Sequence, residues 1–262
     1  MTPLEIVLGI ASGLAAGILS GLFGVGGGVV ATPAISTFLG AEPIVAVASP
    51  LPVIFPTALV GAYTYWRAGH LDVRAAGWIS VTGALASAGG AAAAEALDGQ
   101  ILLVATGALL IWQAIGVARG RSISAAEERR IPVWTYAAIG VAAGFTSGLL
   151  GIGGGIIMVP LLAGLLGMPL KTTLGTSLAA IIVLVIPGTI VHVLLDNIDW
   201  AIVGVLAVGS IAGARIGATI ALGTKERTLR LVVAAFLGIV GLAYAITEGV
   251  TLLGATTIGV RG

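Results

Sequence analysis

The sequence predicts an all-α integral membrane protein built from two inverted-topology repeats. Each repeat is expected to contain a glycine-broken helical hairpin followed by three transmembrane helices. Three observations carry this prediction: an apolar composition, a glycine motif that occurs twice, and loop charges that reverse between the two halves of the chain.

The composition favours a helical membrane protein. Hydrophobic residues make up 58% of the 262 residues and charged residues only 9%, whereas soluble domains carry about 25% charged residues. The apolar runs are continuous and lack the strand-like alternation of a barrel. The absence of cysteine excludes disulfides and thiolate metal sites. A net charge of +1 gives no case for nucleic acid as a partner.

The motif GLFGVGGGVVATP at residues 21–33 returns as GLLGIGGGIIMVP at residues 148–160, an offset of 127 residues. Between residues 17–33 and their later copy, nine of seventeen positions are identical. Each copy interrupts an apolar stretch, so the same broken helix is predicted twice.

Ten apolar segments follow in order, and those near twenty residues are long enough to cross about 30 Å of hydrocarbon. The two segments after the glycine triplets are only about thirteen residues long, and each is predicted to be the return arm of a hairpin. Pro50, Pro52 and Pro56 are expected to break the third segment. The segments are 4–23, 28–40, 44–66, 75–94, 101–118, 133–150, 155–167, 172–195, 200–222 and 231–248.

The loop charges predict how the halves are oriented. The loop at 67–74 is basic and its equivalent at 196–199 is acidic, whereas the acidic loop at 95–100 corresponds to a basic loop at 223–230. Basic loops stay in the cytoplasm, so the halves are predicted to be inverted, with both termini outside. The alternative is eight simple spans with parallel repeats, in which equivalent loops share a side.

The chain is interpreted as one transmembrane domain over residues 1–262. Repeat 1 covers about 4–118, a polar cytoplasmic linker covers 119–132, and repeat 2 covers about 133–250.

The consecutive glycines are the first candidate substrate-binding residues. Unwound backbone survives in a membrane only where protein or a water-filled cavity satisfies it. The helix that follows each triplet would point its free N–H groups and positive dipole end at such a cavity, which suits an anion. Close packing is the alternative, and it is preferred for the glycines spaced every four residues at 9–21 and 140–148. The cavity candidates are Gly26, Gly27, Gly28, Gly153, Gly154 and Gly155.

Hydroxyl groups near the breaks are the second set of candidates. Ser49, Thr176 and Ser177 lie early in the spans that follow the hairpins, where their hydroxyls are expected to donate to an anion. Ser20 and Ser147 are equivalent through the repeat and are further candidates of the same kind. The alternative is a hydroxyl bonded to its own helix.

Two further residues lie in apolar surroundings. Arg215 is a candidate substrate ligand because an intramembrane arginine is costly without a function, although its long stem also lets it snorkel to the cytoplasmic face. His192 is a candidate for proton coupling because histidine titrates near neutral pH. A structural role is the alternative for His192.

The two glycine motifs, together with the later TSLAA and GSIAGARIG, resemble the TauE/SafE-type family of sulfite and sulfonate exporters over essentially the full length. The resemblance implies a multi-pass secondary transporter of the bacterial or archaeal cytoplasmic membrane. Its substrate would be a small sulfur-containing anion such as sulfite, a sulfonate, sulfoacetate or thiosulfate.

Three other expectations complete the prediction. The alternatives to such a transporter are an anion channel and a carrier for a non-sulfur organic anion. An enzyme is not expected, because the chain has two separated histidines and no paired intramembrane carboxylates, and neither a cofactor nor a metal is implied. H⁺ or Na⁺ is the expected coupling ion, the lipid bilayer surrounds the protein, and the small-residue stripes also suit a homodimer.

Overall fold

The computed structural model describes residues 1–94, 96–97, 99–119, 131–236, 238–239 and 241–242. Every regular element in this part of the chain is helical, which confirms the all-α part of the predicted fold class. The helices are α1 (Pro3–Phe23), α2 (Gly28–Phe38), α3 (Pro43–Ala48), α4 (Pro50–Arg67), α5 (Val73–Ala94), α6 (Gly99–Arg119), α7 (Val133–Leu150), α8 (Gly155–Pro160), α9 (Leu170–Leu194), α10 (Trp200–Gly223) and α11, which covers 226–236.

Five segments of the described chain are long and apolar enough to cross a membrane. They are α1, α7, α9, α10 and the combined α3 and α4, and each corresponds to a predicted apolar segment. A π-helical turn, Leu161–Leu165, extends α8. Most of the predicted linker (residues 120–130) and the end of the second repeat (243–250) lie outside the described residues, as do Glu95 and Asp98 of the acidic loop.

Helices α1 and α7 end in the same way. In each, the next glycine (Gly24 and Gly151) adopts a left-handed conformation, with φ of 67° in both cases. Its N–H donates to the carbonyl of Ser20 or Ser147, respectively. This is the common glycine C-cap, in which a residue without a Cβ turns the chain out of the helix.

The arm after each glycine triplet folds back on the helix before it. Gly27, at the start of α2, lies against the Ala16 carbonyl of α1, and Gly154, at the start of α8, lies against the Ala143 carbonyl of α7. The far end of α2, at Phe38, shares a groove with Leu8 near the start of α1. The hairpin predicted for the first motif is therefore present, with a return arm of 11 residues.

Glycine stripes bring neighbouring helices into backbone contact. Gly13 and Gly17 of α1 face the backbone of Leu206 and Ser210 on α10. In the second half, Gly144 of α7 faces the backbone of α5 in the same manner. Close packing was the preferred interpretation of this spacing, and the contacts agree with it.

Each half contains an equivalent contact between a span and the helix that precedes its glycine break. The Tyr65 hydroxyl donates to the Gly21 carbonyl at 2.9 Å, and 127 residues later His192 Nε2 lies 3.3 Å from the Gly148 carbonyl. Helices α4 and α9 are antiparallel, because Gly175 near the start of α9 lies against Tyr65 near the end of α4. The assignment of opposite membrane orientations to the two repeats stays a prediction.

Two predicted boundaries were wrong. The third segment is interrupted at Ser49, directly before Pro50, and not at Pro52 or Pro56. Pro52 lies in the first turn of α4, where proline is tolerated, and Pro56 lies inside α4 without ending it. Helix α11 begins at residue 226 rather than 231, because an Arg230–Glu226 ion pair of 3.3 Å supports a polar first turn that hydropathy overlooks.

Two substitutions on α10 separate backbone packing from helix propensity. A Cβ at Gly209 would overlap the Ile10 carbonyl oxygen and lie 2.5 Å from the Leu14 nitrogen, whereas one at Gly204 meets open space. Gly209→Ala is expected to lower the free energy of unfolding by about 1–3 kcal/mol through overpacking. Gly204→Ala is expected to be neutral or stabilising by up to about 1 kcal/mol. Thermal unfolding in detergent measures both, and equal shifts would contradict the packing.

Candidate functional site

The two glycine breaks contact each other in the interior of the bundle. A Cβ on Gly28 would lie 2.5 Å from the Gly151 carbonyl oxygen and 2.8 Å from Ile152 Cα. In the reciprocal contact, a Cβ on Gly155 would lie 2.5 Å from the Gly24 carbonyl oxygen. Both breaks are buried, so the two motifs are joined through their backbones.

Glycine is required here by conformation as well as by space. The values of φ are 97° at Gly26, 80° at Gly27, 83° at Gly153 and 76° at Gly154. Side chains rarely adopt this left-handed region, and glycine enters it without a Cβ penalty. A methyl group of Ile54 lies 3.3 Å from the Cβ positions of both Gly26 and Gly153, so α4 closes over the crossing.

The helices that follow the breaks begin without side-chain caps. Gly27 is the N-cap of α2 and Gly154 that of α8, and neither can supply a capping oxygen. The first N–H groups of a helix need partners, and the dipole places partial positive charge there. Helix α2 has 11 residues and α8 has 6. The longer α2 therefore has the stronger dipole at its N-terminus.

Two small cavities adjoin the first break. One is lined by Gly26, Gly27, Thr57 and Ser210 among others, and the second by Gly27, Ser20 and the Phe23–Phe236 ring pair, whose centroids are 4.9 Å apart. Each has a volume of about 10 Å³, roughly the space for one water molecule. The described residues that line both cavities carry no charge.

The halves differ at this point. Gly26 and Gly27 line cavities as expected, whereas Gly154 is packed against the Ala143 carbonyl and a methyl of Leu184. Leu184 occupies the position equivalent to Thr57. Of the six glycines expected to line a cavity, Gly26 and Gly27 do so, whereas Gly28 is packed against the Gly151 carbonyl and close packing dominates in the second half. Their role in binding a substrate stays a prediction.

Sequence reasoning overlooked the Thr57–Ser210 pair. The Thr57 hydroxyl lies 3.1 Å from the Ser210 hydroxyl and also bonds the Val53 carbonyl at 2.7 Å. The available signal was the presence of two intramembrane hydroxyls whose repeat equivalents, Leu184 and Gly83, have none.

Ser20 and Ser147 carry buried hydroxyls with no bonding partner among the described residues. Their exposed fractions are 1% and 0%, and they are equivalent through the 127-residue offset. Ser20 Cβ lies 3.4 Å from the Cβ position of Gly27, which places this hydroxyl beside the start of α2. Unsatisfied buried polar groups are uncommon and call for an explanation. Thr32 and Ser87 have the same property.

The three other predicted hydroxyls are engaged in protein contacts. Ser49 Oγ accepts from the Asp199 N–H at 3.1 Å, and Thr176 Oγ1 accepts from the Asp72 N–H at 2.9 Å. Ser177 donates to the Gly24 carbonyl at 2.7 Å. Ser49 and Thr176 therefore meet different interhelical loops, and of the three only Ser177 contacts a glycine break.

Arg215 and His192 also lie apart from the two cavities. Arg215 is exposed and lines a lateral groove between α4 and α10. His192 is fully buried near the end of α9, where Nδ1 lies 3.4 Å from Asn197 Nδ2. The role of His192 in proton coupling stays a prediction.

Comparison with known families agrees with this architecture. The family model for the sulfite exporter TauE/SafE matches residues 9–244, a range that includes both glycine breaks and the helices that pack on them. The chain belongs to the TauE/SafE family.

Relatives of this TauE/SafE protein occur in bacteria and archaea. A probable membrane transporter protein of Xylella fastidiosa (strain 9a5c) is 29% identical and aligned over 84% of this chain and 87% of its own length. One from Methanocaldococcus jannaschii is 28% identical over 92% and 94%. Probable membrane transporter protein YunE of Bacillus subtilis is 26% identical over 94% and 99%. No solved structure matches the chain.

Substitution of Thr176 tests whether its hydroxyl supports the fold. Thr176→Val removes the acceptor for the Asp72 N–H and is expected to cost about 1 kcal/mol of unfolding free energy. Thr176→Ser keeps the oxygen and is expected to stay within about 0.5 kcal/mol of the parent. Thermal unfolding in detergent distinguishes them, and equal stability of the valine and serine variants would show that the bond contributes little.

Proposed function

We propose that this protein is a secondary transporter that moves a small sulfur-containing anion across the cytoplasmic membrane of a bacterium or archaeon by alternating access. The single observation that carries the proposal is the juxtaposition at the first glycine break, where the uncapped start of α2 meets the unpartnered Ser20 hydroxyl. The sulfite-exporter description of the family supports the substrate class.

The chemistry of the site suits an anion that must also be released. The first N–H groups of α2 and the positive end of its dipole attract negative charge. The Ser20 hydroxyl adds one donor. The Thr57 and Ser210 hydroxyls line the other cavity at Gly27, and they would donate to an anion after turning away from the Val53 and Ala207 carbonyls. Neutral donors bind an anion without the permanent ion pair that a buried lysine or arginine would form, so the substrate is able to leave.

The small size of the cavities supports a mechanism in which helices move apart to admit the substrate. Each holds about one water molecule, and a sulfonate needs more space than that. Binding therefore requires the α1–α2 hairpin to separate from α4, α10 or α11. Alternating access in repeat-built transporters uses such rocking of one unit against another around a fixed site.

The test replaces Ser20 by alanine in protein reconstituted into liposomes, with uptake of labelled sulfite and of an alkyl sulfonate as the readout. A hydrogen bond to a charged group is worth about 1.5–3 kcal/mol, so Ser20→Ala is expected to raise KM at least about tenfold. Thr106→Val is the matched control, because the buried Thr106 hydroxyl bonds its own helix at the Leu102 carbonyl. An unchanged KM in Ser20→Ala would overturn the proposed site.

The same assay separates the two halves and the kinds of transport. Ser147→Ala is expected to raise KM less than Ser20→Ala, because Leu184 fills the space beside Gly154 in the second half. Unlabelled substrate inside the liposomes is expected to accelerate uptake of the label, as exchange through a carrier does. Flux that does not saturate and shows no exchange would favour a channel, and transport of carboxylates in preference to sulfite would favour the non-sulfur alternative.

A further inference from the structure

A lateral groove between α4 and α10 holds two arginines and lies apart from the central cavities. Its volume is about 770 Å³, within the range of specific ligand pockets. The lining is Leu59, Val60, Tyr63, Thr64, Arg67, Arg215 and Thr219. None of these residues lines the two cavities at the glycine break, so the groove is a separate feature.

The guanidinium groups of Arg67 and Arg215 can lie at a similar depth in the membrane. Helices α4 and α10 are joined by the Thr57–Ser210 contact of 3.1 Å. Arg67 is ten residues beyond Thr57 and Arg215 is five beyond Ser210, so their backbones differ in depth by about 7.5 Å at 1.5 Å per residue. The long stem of arginine spans such a difference when it snorkels toward the interface. Both guanidinium groups can therefore approach one ligand.

The positive charge of the groove has no acidic partner in the part of the chain that the structure describes. Among the described residues, neither Arg67 nor Arg215 lies within 4.0 Å of a carboxylate oxygen, and both side chains are exposed. The combined α3 and α4 segment and α10 are each long and apolar enough to span a membrane, so Arg215 lies within a membrane-spanning segment. An unpaired arginine at a helix centre costs about 2.5–3.5 kcal/mol on insertion scales and less where its side chain snorkels, and an anionic ligand would offset part of this cost.

The groove also has a charged end and an apolar end, which match the headgroup and the acyl chain of a phospholipid. Tyr63 and Trp66, with ring centroids 5.9 Å apart, mark the interface end near Arg67. The Leu59 and Val60 side chains provide an apolar surface about two helical turns deeper. The charged and apolar parts are thus arranged along the membrane normal in the order in which a lipid presents its headgroup and acyl chain.

We propose that this groove is a specific binding site for an anionic phospholipid, whose headgroup phosphate is held by Arg67 and Arg215 and whose acyl chain lies on Leu59 and Val60. Basic pockets between transmembrane helices recognise anionic headgroups through the same charge complementarity. The inference does not depend on which substrate the central site transports.

Native mass spectrometry of the full chain in detergent tests the proposal. The probes are phosphatidylglycerol, phosphatidylcholine with the same acyl chains, and soluble glycerol phosphate. The parent is expected to retain phosphatidylglycerol in preference to phosphatidylcholine. The double variant Arg67→Gln/Arg215→Gln is expected to bind phosphatidylglycerol about 30-fold more weakly, the combined weight of two arginines at an anionic surface.

The matched control removes the same charge elsewhere. Arg74 and Arg227 are exposed basic residues outside the groove, and Arg74→Gln/Arg227→Gln is expected to bind phosphatidylglycerol like the parent. The monodisperse elution of both double variants checks their fold, and the two single arginine variants replace the double variant if it fails that check. Three outcomes overturn the proposal: equal loss in the control pair, equal retention of phosphatidylcholine, or competition by glycerol phosphate that matches the lipid. A change of subunit number in the Arg67/Arg215 variants with unaltered lipid binding would assign the groove to a second copy of the chain instead.

Discussion

The backbone contact between the two glycine breaks is the constraint on which the rest of the structure depends. Gly28 lies against Gly151 and Gly155 against Gly24 at distances that leave no room for a Cβ. The same glycines turn the chain, so each hairpin reverses at the point where it meets the other. Helix α4 then closes over the crossing with Ile54, and Tyr65 and His192 tie the spans α4 and α9 to the helices that precede the breaks.

The sequence predicted the helices well because their limits have local causes. Gly24 and Gly151 end helices through left-handed caps, and continuous apolar runs define the spans between them. The polar start of α11 and the confinement of the break to Ser49 depend on side-chain pairing and on the tolerance of prolines early in a helix, which hydropathy does not measure. Local signals therefore gave the elements to within a few residues.

The candidate site was harder to predict because its contacts join distant parts of the chain. The conformation of a glycine is a local property, so the glycine triplet was enough to predict that Gly26 and Gly27 line a cavity. Ser49 and Thr176 looked like substrate ligands, but each accepts from the loop of the opposite half, across 150 and 104 residues of sequence. Thr57 and Ser210 are 153 residues apart, and only the fold brings their hydroxyls to the same cavity.

The two halves differ in the residues that surround their glycine breaks. Two equivalent breaks would present two equivalent helix starts, yet the first adjoins the Thr57–Ser210 hydroxyl pair, whereas Leu184 and Gly83 stand at those positions in the second half. The described lining of both cavities is uncharged, and the nearby arginine, Arg215, is turned to the lateral groove. In the proposed transport cycle, an anion at Gly27 would be balanced by helix amides and hydroxyls alone, which would hold it loosely enough to exchange between the two sides of the membrane. The second break, packed against Ala143 and Leu184, would then act as the support against which the first one opens.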